Sequence, residues 1–179
     1  MFSHYSPDIL ARAKRIKLLV LDVDGVLTSA QLFMSSNGEI IKAFNTLDGH
    51  GIKMLQNSGV QTAIITARND EAVGARAKQL GITHYFFGVH DKKVAFEQLC
   101  EQAGVSAEQC AMVGDDVIDL PVLVRCGLPI SVANAHTFVK KHTALTTEKN
   151  GGFGAVREVT DLIMQAQNTL LPALNEYLK

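Results

Sequence analysis

The sequence predicts an α/β fold, a doubly wound parallel sheet with helices on both faces. Three observations lead there. Apolar runs of strand length recur along the chain and alternate with segments of helical period. The strongest of these runs show no polar alternation, the pattern of strands buried on both faces. No repeat, low-complexity tract or linker divides the 179 residues, which suffice for one domain with a sizeable core.

The first strand is predicted over Lys17 to Val23, leucine-rich and β-branched. "SAQLFMSSNGEIIKAFN" then departs from the alternation, with two extended runs around Asn37-Gly38, a strong short-range hairpin signal. This hairpin flap, about residues 30–44, carries Leu32, Phe33, Met34, Ile40, Ile41 and Phe44. Isolated two-stranded hairpins are marginal in water, so these side chains are expected to pack on this domain or on another subunit. "DGHGIKMLQNSG" reads as a helix stopped at Gly59, and Val60 to Thr66 as the next strand. A helix from Asp70 to Leu80 is stopped by Gly81, followed by a short strand near "HYFFG" and a helix from Lys92 to Ala103. "CAMVG" at 110–114 is a strand, Ile118 to Arg125 a helix, "LPISV" a strand and "TALTT" a weak last one. The tail from about residue 150 opens with three glycines around Phe153, suiting a mobile segment able to approach another surface closely. Beyond it the pattern is helical, with a break at Pro172.

Composition narrows the classes. A formal net charge of −1 gives no general attraction to nucleic acid or to a membrane. No apolar stretch reaches the roughly 18 residues of a membrane span, and the run after Lys17 is too short for a secretory signal. Cys100, Cys110 and Cys126 lack metal-type spacing, which suits packing thiols in a reducing cytoplasm. None of His4, His50, His84, His90, His136 and His142 forms a ligand-type pair, although His50 lies beside an Asp-Gly of interest below.

The chemistry sits where strands end. In open α/β sheets ligands bind outside the carboxyl ends of the strands. The first strand ends in Asp22 and Asp24, with Gly25 behind. Two carboxylates so close repel unless a cation or a shared proton compensates. An Asp-Gly turn would be the plain alternative. Yet Thr66 and Arg68, then Asp91, Lys92 and Lys93, then Asp115, Asp116 and Asp119 follow three further strands.

"DVDGVLT", "IITAR", the lysine of "HDKK" and "GDDVID" resemble, in order and spacing, the four motifs of the haloacid-dehalogenase superfamily, a Rossmann-like group of phosphotransferases. The resemblance spans about Lys17 to Thr146. It implies that Asp22 attacks phosphorus to form an aspartyl-phosphate, and that Asp24 protonates the leaving oxygen and then deprotonates water. It also implies a hydroxyl of Thr66 on the phosphoryl group, and Lys92 as the cation beside Asp22; Lys93 is adjacent, and motif spacing selects Lys92. Mg²⁺, a hard cation that takes oxygen ligands, would be held by the carboxylates of Asp22 and Asp115 and the carbonyl of Asp24. Asp116 and Asp119 would orient the metal's waters, or simply cap the helix that begins there.

Only 41 residues lie between Asp24 and Thr66, and 23 between Arg68 and Lys92. Neither interval holds a cap domain, so a neighbouring subunit is the economical way to close the site. Capless length, the hairpin, "NTLDGHGIKML" and "GGFGAVREV" closely resemble the family of 3-deoxy-D-manno-octulosonate 8-phosphate phosphatases. That resemblance implies a cytoplasmic homotetramer in lipopolysaccharide synthesis, assembled through hairpins, with tails reaching neighbouring sites. It implies substrate contacts from Asn45, Thr46, Leu47, Asp48 and Gly49, and from Arg68 and Arg76. Guanidinium pairs suit a sugar acid bearing a carboxylate and a phosphate, although helix-surface salt bridges would also explain these arginines. Arg157 could add charge to a neighbour's site or merely begin a helix. The rival expectations are a phosphatase for another sugar acid, such as a nonulosonate 9-phosphate, and a non-catalytic oligomerisation domain of the same fold.

Overall fold

The computed structural model describes residues 5–179, so His4 lies outside the described residues. Along the chain come α1 (Pro7–Lys14), β1 (Leu18–Leu21), β2 (Phe33–Met34), β3 (Ile40–Ile41), α2 (Thr46–Asn57) and β4 (Gln61–Ile65). Next are α3 (Glu71–Leu80), β5 (His84–Phe86), α4 (Lys92–Ala103), β6 (Cys110–Gly114) and α5 (Leu120–Leu123). The chain continues with β7 (Leu128–Ser131), α6 (Thr137–Lys140), β8 (Leu145–Thr146), α7 (Ala155–Ala166) and α8 (Leu170–Asn175).

All four side chains of β1 are fully buried, which requires cover on both faces and partners on both edges. The sheet supplies this with the order β5-β4-β1-β6-β7-β8, every pairing parallel. Side chains of a strand alternate between faces. Leu19 and Leu21 join the core beneath α1, α2, α3 and α7, while Leu18 and Val20 meet Phe96 and Leu99 of α4 and Val122 and Leu123 of α5. Placing β1 between β4 and β6 gathers the loops after β1, β4 and β6 at one end of the sheet.

Asp70 and Asp91 cap α3 and α4 through their carboxylates, as short acidic side chains do at helix starts. Helix α7 begins differently. Its preceding residue, Gly154, has no side chain, and the buried carboxylate of Asp48 in α2 accepts from the Gly154 and Arg157 amides instead. This contact pins α7 to the first turn of α2.

Three expectations need correction. The helix expected from Ile118 to Arg125 is a 3₁₀ turn, Val117–Asp119, followed by one turn of α5, because Pro121 starts a helix readily but cannot sit inside one. The break expected at Pro172 falls at Gln167–Thr169, where Asn168 has φ 59°. Pro172 lies in the first turn of α8, where its missing N–H would have had no helical partner anyway. The glycines before α7 serve a close approach, but within the chain: a Cβ on Gly151 would collide with the carbonyl of Gly25, and Gly152 N donates to Val26 O at 2.9 Å. Two short helices, α1 and α6, go beyond the sequence reading; the former starts at Ser6-Pro7, a cap and a helix-compatible proline.

The expected hairpin forms, with Phe33 opposite Ile41 and Met34 opposite Ile40. Most of its apolar side chains do not pack on the core of this domain. Leu32, Phe33, Met34 and Ile41 are all exposed, three of them by more than half. Phe44 alone of the six reaches the core cluster. No helix among the described residues is long and apolar enough to cross a membrane.

Candidate active site

The loops after β1 and β6 bring Asp22, Asp115 and Asp119 together, with one carboxylate oxygen of each within 4.8 Å of the others. The approach depends on Gly25, whose φ of 103° suits glycine and whose missing Cβ would otherwise collide with the Asp115 carboxylate. Lys92, at the first position of α4, donates to Asp22 Oδ1 at 2.6 Å and to Asp119 Oδ1 at 2.6 Å. Asp119 Oδ2 accepts from the Asp115 amide at 3.0 Å and the Asp116 amide at 3.4 Å. Asp119 is thus fully buried with both oxygens engaged, holding the lysine and the loop that carries Asp115. Asp116 is exposed and caps the 3₁₀ turn by accepting from Val117 N at 2.7 Å.

Asp22 and Asp119 share one ammonium, with Asp115 close beside them. Burial, then repulsion from Asp119, pushes the Asp22 acid well above the ordinary carboxylate range, against the pull of Lys92. Burial and repulsion from Asp22 push Asp115 up to about 8. Burial alone would lower Lys92, but Asp22 and Asp119 overcome it and hold its ammonium more firmly protonated. Carboxylates this reluctant to ionise are relieved by a second positive charge. The hard oxygen donors of Asp22 and Asp115 therefore suit a divalent cation such as Mg²⁺.

Asp24 stands beside this cluster. Its Oδ1 accepts from Lys42 Nζ at 2.6 Å and its Oδ2 lies 3.6 Å from Arg68 Nε. Lys42 also lies 3.4 Å from Asp70 Oδ2. Arg68 is about half exposed and available to a ligand. Thr66 is buried at the end of β4, and its hydroxyl accepts from Arg68 N at 3.3 Å.

The "NTLDG" segment divides. Asn45 caps α2 by accepting from Leu47 N and donates from Nδ2 to Gly152 O at 3.2 Å. Asp48 is buried in the α7 cap, and Gly49 leaves space that Arg76 fills. Thr46 and Leu47 face solvent. Arg76 donates to Asn45 O at 3.1 Å and to Gln79 Oε1 at 2.7 Å, and its guanidinium lies 5.7 Å from the centre of the Phe44 ring. Arg157 pairs with Asp161 one helical turn on, as a plain helix start would have it. His84 meets Gln61, His136 caps α6, His142 meets Phe138 O, His90 is exposed, and the His50 ring meets Tyr177 edge-on at 5.6 Å.

Sequence reasoning missed Lys42 and Asp70. One signal was available: strand alternation turns Lys42 away from the exposed Ile41. Asp48 as a cap had none, because its partners lie more than 100 residues away.

A carboxylate pair one residue apart at the head of a parallel sheet, a lysine fixed on the first of them and an acidic cation site together define a phosphoryl-transfer hydrolase. Residues 38–127 match the haloacid dehalogenase-like hydrolases. The chain is 46% identical to the 3-deoxy-D-manno-octulosonate 8-phosphate phosphatase of Escherichia coli (strain K12) over 92% of its own length and 88% of that protein. It is similar to the crystal structure of that phosphatase from Yersinia pestis, with 44% identity, a TM-score of 0.92, and coverage of 93% of this chain and 90% of the other. A structure from Moraxella catarrhalis, described in complex with magnesium ion, phosphate ion and a KDO molecule, matches at 40% identity and TM-score 0.94, over 97% of this chain and 99% of that one. The chain belongs to the 3-deoxy-D-manno-octulosonate 8-phosphate phosphatase family of haloacid dehalogenase-like hydrolases.

Proposed function

We propose that the chain hydrolyses 3-deoxy-D-manno-octulosonate 8-phosphate to the free sugar acid and phosphate, a step of lipopolysaccharide synthesis in the cytoplasm. The observation that carries the reading is the pair Asp22 and Asp24, each held by its own lysine at 2.6 Å. Lys92 turns one Asp22 oxygen and leaves the other to attack phosphorus. The new O–P bond forms as the bond from phosphorus to the sugar oxygen breaks, and Asp24 gives its proton to that departing oxygen. Water then attacks the aspartyl-phosphate, gives a proton to Asp24 and restores the Asp22 carboxylate. Thr66 and Lys92 hold charge on the phosphoryl group. Mg²⁺ would be held by Asp22, Asp115 and the carbonyl of Asp24, and when bound it neutralises charge between the nucleophile and the phosphoryl group. Arg68, half exposed beside Asp24, suits the anionic ends of a sugar acid.

The exposed hairpin supports a homotetramer with Phe33, Met34 and Ile41 at its centre, a contact that closes the capless site. Arg76, Thr46 and Leu47 then complete the substrate surface. The part of the tail that would reach a neighbour is its exposed side, Leu171, Tyr177 and Leu178, because α7 is buried against α2 and Leu170 joins the same core. The test is Mg²⁺-dependent phosphate release from a panel of phosphorylated sugar acids and simple sugar phosphates, with Asp24→Asn alongside. Strong preference for the eight-carbon acid, lost in the variant, is expected. Preference for a nonulosonate 9-phosphate, or equal turnover of every ester, overturns the substrate, and inactivity on all of them overturns the catalytic reading.

A further inference from the structure

A lysine directly after an exposed hairpin strand ordinarily keeps its hydrated ammonium in water. Lys42 does the reverse: its side chain is 1% exposed, while the preceding Ile41 is 66% exposed. A buried ammonium persists only where carboxylates replace its lost hydration, and here these are Asp24 at 2.6 Å and Asp70 at 3.4 Å. Asp70 is itself fixed, because its Oδ1 caps α3 by accepting from Ala72 N at 2.9 Å. Lys42 therefore ties together the return strand of the hairpin, the start of α3 and the loop after β1. Among the described residues the other buried lysine is Lys92, which does the equivalent work on Asp22.

We propose that Lys42 is a positioning residue for the acid–base carboxylate. It fixes Oδ1 of Asp24 and so leaves Oδ2, on the Arg68 side, as the oxygen that carries the transferred proton. Lys42 does not reach solvent and acts through Asp24, whose side chain is 23% exposed and can meet substrate. The inference rests on the assignment of Asp24 as the acid–base group, and it makes the hairpin part of the chemistry: a shift of the return strand moves the residue that aims the acid.

The test uses the intact protein with Mg²⁺ and compares kcat/KM for a simple alkyl phosphate with that for an aryl phosphate, p-nitrophenyl phosphate. This constant stops at departure of the alcohol, and a nitrophenolate departs without a proton, so only the alkyl ester needs the acid. Lys42→Met is expected to lose on the order of 10²-fold on the alkyl ester, the lower range for a general acid, and to keep its aryl activity. In the Asp24→Asn background the same substitution is expected to add no further loss, since both changes remove one interaction. Lys42→Gln, which keeps a shorter neutral donor, is expected to fall between wild type and Lys42→Met, and it replaces the latter should that variant not fold. Equal losses on both esters, or a further loss in the Asp24→Asn background, mean that Lys42 is merely structural and overturn the proposal. Because any alkyl phosphate serves, a wrong sugar-acid assignment shows only as lost wild-type preference and leaves this comparison intact.

Discussion

Asp48 separates two jobs that one residue could hold, substrate contact and helix capping. In the structure it is buried, and it accepts from Arg157 N at 2.8 Å and Gly154 N at 3.3 Å. Asp48→Ala leaves both amides without a partner. Losing a cap and stranding a buried donor gives about 2–4 kcal/mol together. Part of this is offset, because burial raises the Asp48 acid in spite of the bonds from Arg157 and Gly154, so its charged form is already penalised. A net loss of about 1–3 kcal/mol remains, which for a chain of this length lowers Tm by roughly 2–12 °C. Urea and thermal unfolding measure it, with kcat/KM taken well below the transition. An unchanged unfolding midpoint with a large rise in KM would refute the capping argument and return Asp48 to the substrate.

Three other outcomes follow from the same geometry. With chelator present, Tm should be higher at pH 5 than at pH 8: the raised folded-state acids of Asp22 and Asp115 bind more protons than their unfolded counterparts across that window, so stability falls as pH rises, and excess Mg²⁺ should narrow the gap. Asp119→Leu should destabilise the fold by about 1–3 kcal/mol, because it strands two loop amides and takes one partner from a buried ammonium that keeps Asp22, while relieving repulsion on Asp22 and Asp115; urea titration checks it. Phe33→Ser with Ile41→Ser should leave the monomer fold intact by circular dichroism and convert the proposed tetramer to smaller species in sedimentation, since neither side chain packs on its own domain.

What could be read from the sequence was what local pattern encodes. β1 and β6 announce themselves as apolar runs, and Asp22, Asp24 and Asp115 as the acids that end them, because strand ends in a parallel sheet converge on one edge. The Asn37-Gly38 turn likewise gave the hairpin. Asp119 emerged as a clamp on Lys92, a role that spacing alone does not distinguish from capping. Asn45, Asp48 and Gly49 of "NTLDG" have structural partners in α3 and around α7 that no local window contains. The short helices α5 and α6 lie below the length at which period is legible.

The packing of Gly151 and Gly152 against the loop after β1 bears on how the protein is made. As the chain leaves the ribosome, the loop carrying Asp22 and Asp24 emerges early, yet β6 flanks β1 only some ninety residues later, and the glycine turn that supports the loop comes later still. Translation at about 5–20 residues per second leaves the first motif without its full surroundings for seconds. A nascent chain stalled before residue 150 would hold every acid of the site and still lack the glycine turn that packs against the loop carrying Asp22 and Asp24.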